Sequence, residues 1–206
     1  MFAKLNQIQI QPIDYQYLTH LLSDYRYPRN KITKLLTSGE LISLKRGFYV
    51  LADHYKVPLV KKAVANLLYG PSYISTDYAL SYYGLIPERA INITSVTTSR
   101  RKIYHTPIGL FIYQQLKSEY YALGYEIRQG DGVTFLLATP EKALCDKLYL
   151  LPAQKGLKEL KKLLYEDLRV SPDRIKELQM ERLKEYSIAA NSKNLDLLLN
   201  LRGNNE

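Results

Sequence analysis

Between Asp14 and Leu51 the sequence changes its hydrophobic period once, from helical to strand-like, and is punctuated at each element boundary, which leaves few architectures open. Asp14 is placed to cap a helix whose apolar residues Tyr17, Leu18, Leu21 and Leu22 recur at three- and four-residue spacing. Tyr25-Arg26-Tyr27-Pro28 breaks that pattern, and Pro28 suits the first turn of a second helix, where its missing N–H costs nothing. Ile32, Leu35 and Leu36 give this second helix one apolar stripe, which stops at Ser38-Gly39. Two β-prone runs follow, Leu41–Lys45 and Phe48–Leu51, joined at Arg46-Gly47, where the glycine permits the positive φ of a tight hairpin. Helix, helix, hairpin is the order of a winged helix-turn-helix, expected over residues 1–56.

The charge pattern singles out the same segment. The chain of 206 residues has a formal net charge of +9, and residues 1–70 hold ten Lys/Arg against four Asp/Glu. Within them, residues 26–62 carry nine basic groups and two acidic ones, a field of one sign that attracts polyanions. At about 100° per residue, Asn30, Lys34 and Thr37 fall at roughly 100°, 140° and 80° from Arg29, opposite the apolar stripe, with Thr33 and Lys31 flanking them. That face is short, rich in donors and free of acids, as a helix entering a major groove requires. Lys45 and Arg46 at the hairpin tip would meet phosphates beside the groove. The expected DNA-binding residues are therefore Arg29, Asn30, Lys31, Thr33, Lys34, Thr37, Lys45 and Arg46. A basic surface helix beside a structural hairpin is the plainer reading of the same residues.

Residues 57–206 read as a second, α+β domain, with a mixed or antiparallel sheet followed by C-terminal helices over 151–206. Val57–Leu68 has helical spacing with Val60, Ala63, Val64 and Leu67 on one face, and Ser75 or Thr76 can cap a short helix that stops at Gly84. Strands are expected over Ile91–Thr97, Lys102–His105, Gly109–Gln114, Tyr125–Arg128 and Val133–Ala138. Thr139-Pro140-Glu141 has the cap, proline and acid of a helix start, carrying Ala143, Leu144, Leu148 and Leu151 to the core. Leu157 to Leu168 forms one apolar stripe; Ser171-Pro172-Asp173 begins another helix, with Ile175, Leu178 and Tyr186, and Leu195–Leu201 a third.

Several function classes are excluded on counts. No charge-free stretch exceeds fourteen residues, where a membrane span needs about 18 or more, and Met1–Gln7 leads into no apolar signal core, so no membrane partner and a cytoplasmic location are expected. The single Cys145 excludes an internal disulfide and a cysteine-based zinc site. His20, His54 and His105 stand far apart, and neither a phosphate-binding Gly-x-x-x-x-Gly-Lys loop nor a Gly-x-Ser-x-Gly elbow occurs. No catalytic residue, metal or cofactor is expected, and the chain does not read as an enzyme. A metal-dependent nuclease can be drawn from Asp131, Glu141 and Lys142, but turn and helix-cap roles already account for those residues. The nineteen tyrosines, with the pairs Tyr82-Tyr83 and Tyr120-Tyr121, suit core packing or a partner surface.

The run Ile32-Thr33-Lys34-Leu35-Leu36-Thr37-Ser38-Gly39-Glu40-Leu41-Ile42-Ser43-Leu44-Lys45-Arg46-Gly47-Phe48-Tyr49-Val50 resembles the N-terminal winged helix of AbiEi-type antitoxins. Tyr73–Leu85 and Thr139–Asp146 are similar to two further motifs of that family's C-terminal domain, so the likeness spans about residues 14–151. The resemblance implies a transcriptional regulator that binds double-stranded DNA at its own promoter, represses its operon, and acts as antitoxin to a nucleotidyltransferase-type toxin of an abortive-infection system. Carried onto matching positions, the DNA face is Asn30, Lys31, Thr33, Lys34, Lys45 and Arg46. The chain departs from the commoner pattern in having Ser43 and Leu44 before Lys45, where arginines are frequent. The alternative is a stand-alone winged-helix regulator whose second domain binds a ligand or a protein partner. The sequence does not fix the oligomeric state.

Overall fold

A computed structural model describes residues 2–130 and 132–203. After a 3-10 segment, Phe2–Gln7, comes the two-residue strand β1, Ile13–Asp14, and the helix α1, Tyr15–Leu21. Asp14 caps α1, accepting the Tyr17 amide at 2.7 Å. Pro28 opens α2, Pro28–Thr37, which buries Ile32 and Leu35. The strands β2, Leu41–Lys45, and β3, Phe48–Leu51, turn at Gly47, whose φ of +78° is the conformation that favours glycine. β3 lies between β1 and β2 in an antiparallel three-stranded sheet, and a bulge between Ser43 and Lys45 shifts the β2–β3 register.

The chain then passes through α3, Lys61–Leu68; β4, Ser72–Ile74; and α4, Thr76–Tyr82. Next come β5, Ile93–Thr97; β6, Lys102–Thr106; β7, Gly109–Gln115; the one-turn α5, Ser118–Tyr121; β8, Tyr125–Gly130; and β9, Val133–Ala138. The six strands from β4 onward form one mixed sheet in the order β6-β7-β5-β4-β9-β8, with β5–β7 and β4–β9 parallel. Five helices follow: α6, Pro140–Tyr149; α7, Leu157–Lys162, continued by a π-helical turn over Leu163–Asp167; α8, Pro172–Glu177; α9, Met180–Ala190; and α10, Lys193–Gly203. The protein is thus α+β, with a mixed sheet and C-terminal helices.

Among the described residues the buried side chains form two apolar cores. The smaller gathers Leu5, Ile8, Ile13, Leu18, Leu22, Ile32, Leu35, Leu41, Tyr49 and Leu51. The larger holds the six-stranded sheet and the later helices, and it also takes in Leu44 and Val50 from the hairpin, with Ile42 and Phe48 packed against it. The hairpin therefore has apolar contacts on both faces, one set in each core.

Five expectations are corrected. The helix expected from Val57 starts at Lys61, since Pro58 biases its neighbour to extended backbone, and Val60 still has φ −91° and ψ 96°. Its buried face ends with Leu68; Leu67 is 58% exposed. Ser75 precedes α4 but its side chain accepts no cap hydrogen bond; its hydroxyl is turned to Asp146, to which it donates. The strand expected from Ile91 begins at Ile93 and is buried on both faces. The helix expected to run from Ser171 past Tyr186 is two helices, broken where Leu178 and Gln179 are extended.

Candidate nucleic-acid interface

Helix α2 owes its position to its own sequence. Ile32 and Leu35 anchor it on the small core, and Leu36 packs half-buried beside them. This leaves Arg29, Asn30, Thr33, Lys34 and Thr37 exposed on the outer face. Thr37 donates its hydroxyl to the Thr33 carbonyl at 3.0 Å and Thr33 donates to the Arg29 carbonyl at 3.2 Å, so both hydroxyl oxygens keep accepting lone pairs free for a partner. Lys31 is half-buried, its ammonium 5.1 Å from the centre of the Tyr25 ring. No acid lies between Tyr25 and Gly39, and among the described residues neither Arg29 nor Lys34 enters an ion pair. The face is a set of uncompensated cations and hydrogen-bonding groups on one rigid helix.

The two hairpin-tip residues part company. Arg46 is exposed at the turn. Lys45, expected to reach a phosphate, is half-buried: its ammonium donates to the Leu68 carbonyl at the end of α3 and lies 5.1 Å from the centre of the Phe48 ring. Burial pulls its pKa below the ordinary lysine range. The bulge at Ser43–Lys45 aims it inward, toward the end of α3.

A fully buried polar cluster on α6 has no signature in the sequence. Lys142 and Asp146, one turn apart on α6, are fully buried and paired at 2.7 Å. The Lys142 ammonium also donates to the Tyr120 carbonyl at 3.0 Å and sits over the Tyr120 ring; Asp146 accepts the hydroxyls of Ser75 at 2.6 Å and Tyr73 at 3.2 Å. Desolvation lowers the Lys142 pKa, with Asp146 acting against it. Ser75, Lys142 and Asp146 spend their hydrogen bonds on one another inside the core, and the effect is to tie α6 to β4 and α5. Glu141, a residue of the nuclease alternative, is also buried; it accepts the Gln179 amide at 3.1 Å. Asp131 lies outside the described residues. Cys145 is buried, and burial raises its thiol pKa. Among the described residues no three His, Cys, Asp or Glu side chains gather as a metal site, and no helix is long and apolar enough to cross a membrane.

A cleft of about 520 Å³ lies between α3 and the β8–β9 hairpin and is mostly apolar, with Leu67, Tyr121, Tyr125, Ile127 and Phe135 among its lining residues. Comparison of the sequence with known protein families gives no match, and comparison with curated proteins gives none either.

Proposed function

We propose that this chain is a DNA-binding transcriptional regulator that reads double-stranded DNA through a winged helix-turn-helix over residues 1–56, acting as the antitoxin that represses its own operon. The observation that carries the reading is the exposed face of α2: Arg29, Asn30, Thr33, Lys34 and Thr37 stand outward on a helix without acids, and the exposed Arg46 lies on the adjoining hairpin. Side chains of that kind on a short helix offer both base-edge donors and phosphate partners. The antitoxin role, against a nucleotidyltransferase-type toxin, rests on the resemblance to AbiEi-type proteins in the 14–151 region.

The test is fluorescence anisotropy of the purified protein on a duplex from upstream of its own gene and on a scrambled duplex, across a salt series. Selective binding with a steep logarithmic salt slope is expected; weak, unselective attraction overturns the regulator. Co-expression with the neighbouring reading frame tests the antitoxin: growth arrest by that frame alone, relieved by this chain, is the expected result. A stand-alone regulator is the second reading, and the apolar cleft beside α3 favours it as a place for a ligand. Under that reading the neighbouring frame is harmless.

A further inference from the structure

A second strongly basic element stands outside the face just described. Arg100, Arg101 and Lys102 are consecutive and all exposed, at the turn between β5 and β6. The turn is fixed by its backbone. The Ser99 amide donates to Thr97 Oγ1 at 3.1 Å, the Gln115 side-chain amide donates to the Thr98 carbonyl at 3.2 Å, and the Tyr69 hydroxyl donates to the Arg100 carbonyl at 3.1 Å. Tyr69 directly follows Leu68, whose carbonyl holds the Lys45 ammonium, so one dipeptide bridges the hairpin tip and this turn. β2, the edge of the small sheet beside α2, also lies against β6, the edge of the large one.

The surrounding chain is as one-sided in charge as α2. No Asp or Glu occurs over residues 41–52, 54–76 or 89–118, and those three stretches hold Lys45, Arg46, Lys61, Arg100, Arg101 and Lys102. Among the described residues Arg100, Arg101 and Lys102 enter no ion pair. A surface that merely needed solubility would intersperse both signs. A duplex offers one negative charge per about 1.7 Å of its axis, so a cationic turn docked beside the hairpin tip has further phosphates to meet.

We propose that Arg100, Arg101 and Lys102 form a second phosphate-binding surface, on the α+β domain, which grips the duplex backbone beyond the segment read by α2. This rests on the DNA-binding reading above. The second domain then adds affinity without adding base recognition, because cations on a turn meet phosphates and not base edges.

The test compares wild type with the triple variant Arg100→Ala/Arg101→Ala/Lys102→Ala on upstream and scrambled duplexes across a salt series, with circular dichroism as the fold control. The expected result is a salt slope shallower by about 0.9 for each phosphate that goes unneutralised, an equal weakening on both duplexes, and recovery in Arg100→Lys/Arg101→Lys/Lys102→Arg, since counterion release counts charges. A wild type that binds selectively and a triple variant with an unchanged slope overturn the second surface and leave the regulator standing. A weakening confined to the upstream duplex overturns it too, by making the turn a reader of bases. Wild type without salt-dependent binding to either duplex overturns both readings.

Discussion

The ammonium of Lys142 lies 2.7 Å from the carboxylate of Asp146, and neither side chain has any exposure to solvent. Removing one partner of such a pair strands the other charge in the core, which costs about 3–5 kcal/mol, whereas replacing both with apolar residues is often neutral. Lys142→Met and Asp146→Leu should each lower the urea midpoint steeply, and the double variant should recover most of the loss. Urea melts of the three variants check this; additive single losses would show that the two residues are not energetically coupled.

Gly124 has φ +70°, and a Cβ there would land on the Tyr186 hydroxyl and 2.9 Å from Lys142 Cβ. Gly124→Ala therefore combines left-handed strain, about 1–2 kcal/mol, with overpacking of about 1–3 kcal/mol. Gly132→Ala, where no atom lies within 4 Å of the added Cβ and φ is +77°, carries the strain alone. The difference between their denaturation midpoints measures the crowding around Tyr186.

Alkali should unfold the protein through its tyrosines. Burial raises the pKa of Tyr73, Tyr113 and Tyr120, and pushes that of Tyr121 up to about 12. In the unfolded chain these phenols ionise near 10, so above that pH the folded state binds more protons than the unfolded one, and stability falls as pH rises. Their contribution is complete below about pH 10 and is lost toward and beyond pH 12. Ultraviolet titration of tyrosinate should show exposed phenols ionising first and the buried ones only with loss of the fold. Smooth titration of all nineteen near pH 10 would contradict the burial.

The two tip residues should separate in a binding assay. Arg46→Ala should flatten the salt slope by about one unit on any duplex, because Arg46 is free to meet a phosphate. Lys45→Ala should leave the slope nearly unchanged and instead lower thermal stability, since its ammonium belongs to the Leu68 carbonyl. Lys34→Ala should weaken binding to the upstream duplex more than to a scrambled one. Anisotropy and melting curves on the same preparations give both readouts; a large slope change in Lys45→Ala would refute the inward placement.

The contrast between Lys45 and Arg46 also marks where the sequence stops being informative. α2 could be read because its signals are local: Pro28 at the start, Ile32 and Leu35 on one side, Ser38-Gly39 at the end. Thr139-Pro140-Glu141 was equally clear as a helix start, and Thr139 does accept the Lys142 amide. That clarity hid Lys142, for a residue with a sufficient local role gives no sign that its ammonium meets an aspartate tied to Ser75, 71 positions earlier. β4 has no signature in the sequence because three residues buried throughout, between Pro71 and a helix, leave no alternation to detect. The inward turn of Lys45 depends on a bulge, and an extra residue in a strand has no signature in a five-residue run.

The hairpin that joins the two cores has a consequence for how such a protein can be divided. Cut after residue 56, the N-terminal piece would keep its own core but bare Ile42, Leu44, Phe48 and Val50, an apolar wall built to be covered. The N-terminal piece is consequently no portable cassette. An exchange of such pieces between chains would have to bring along the end of α3 that closes over Lys45, or replace the exposed wall with polar residues.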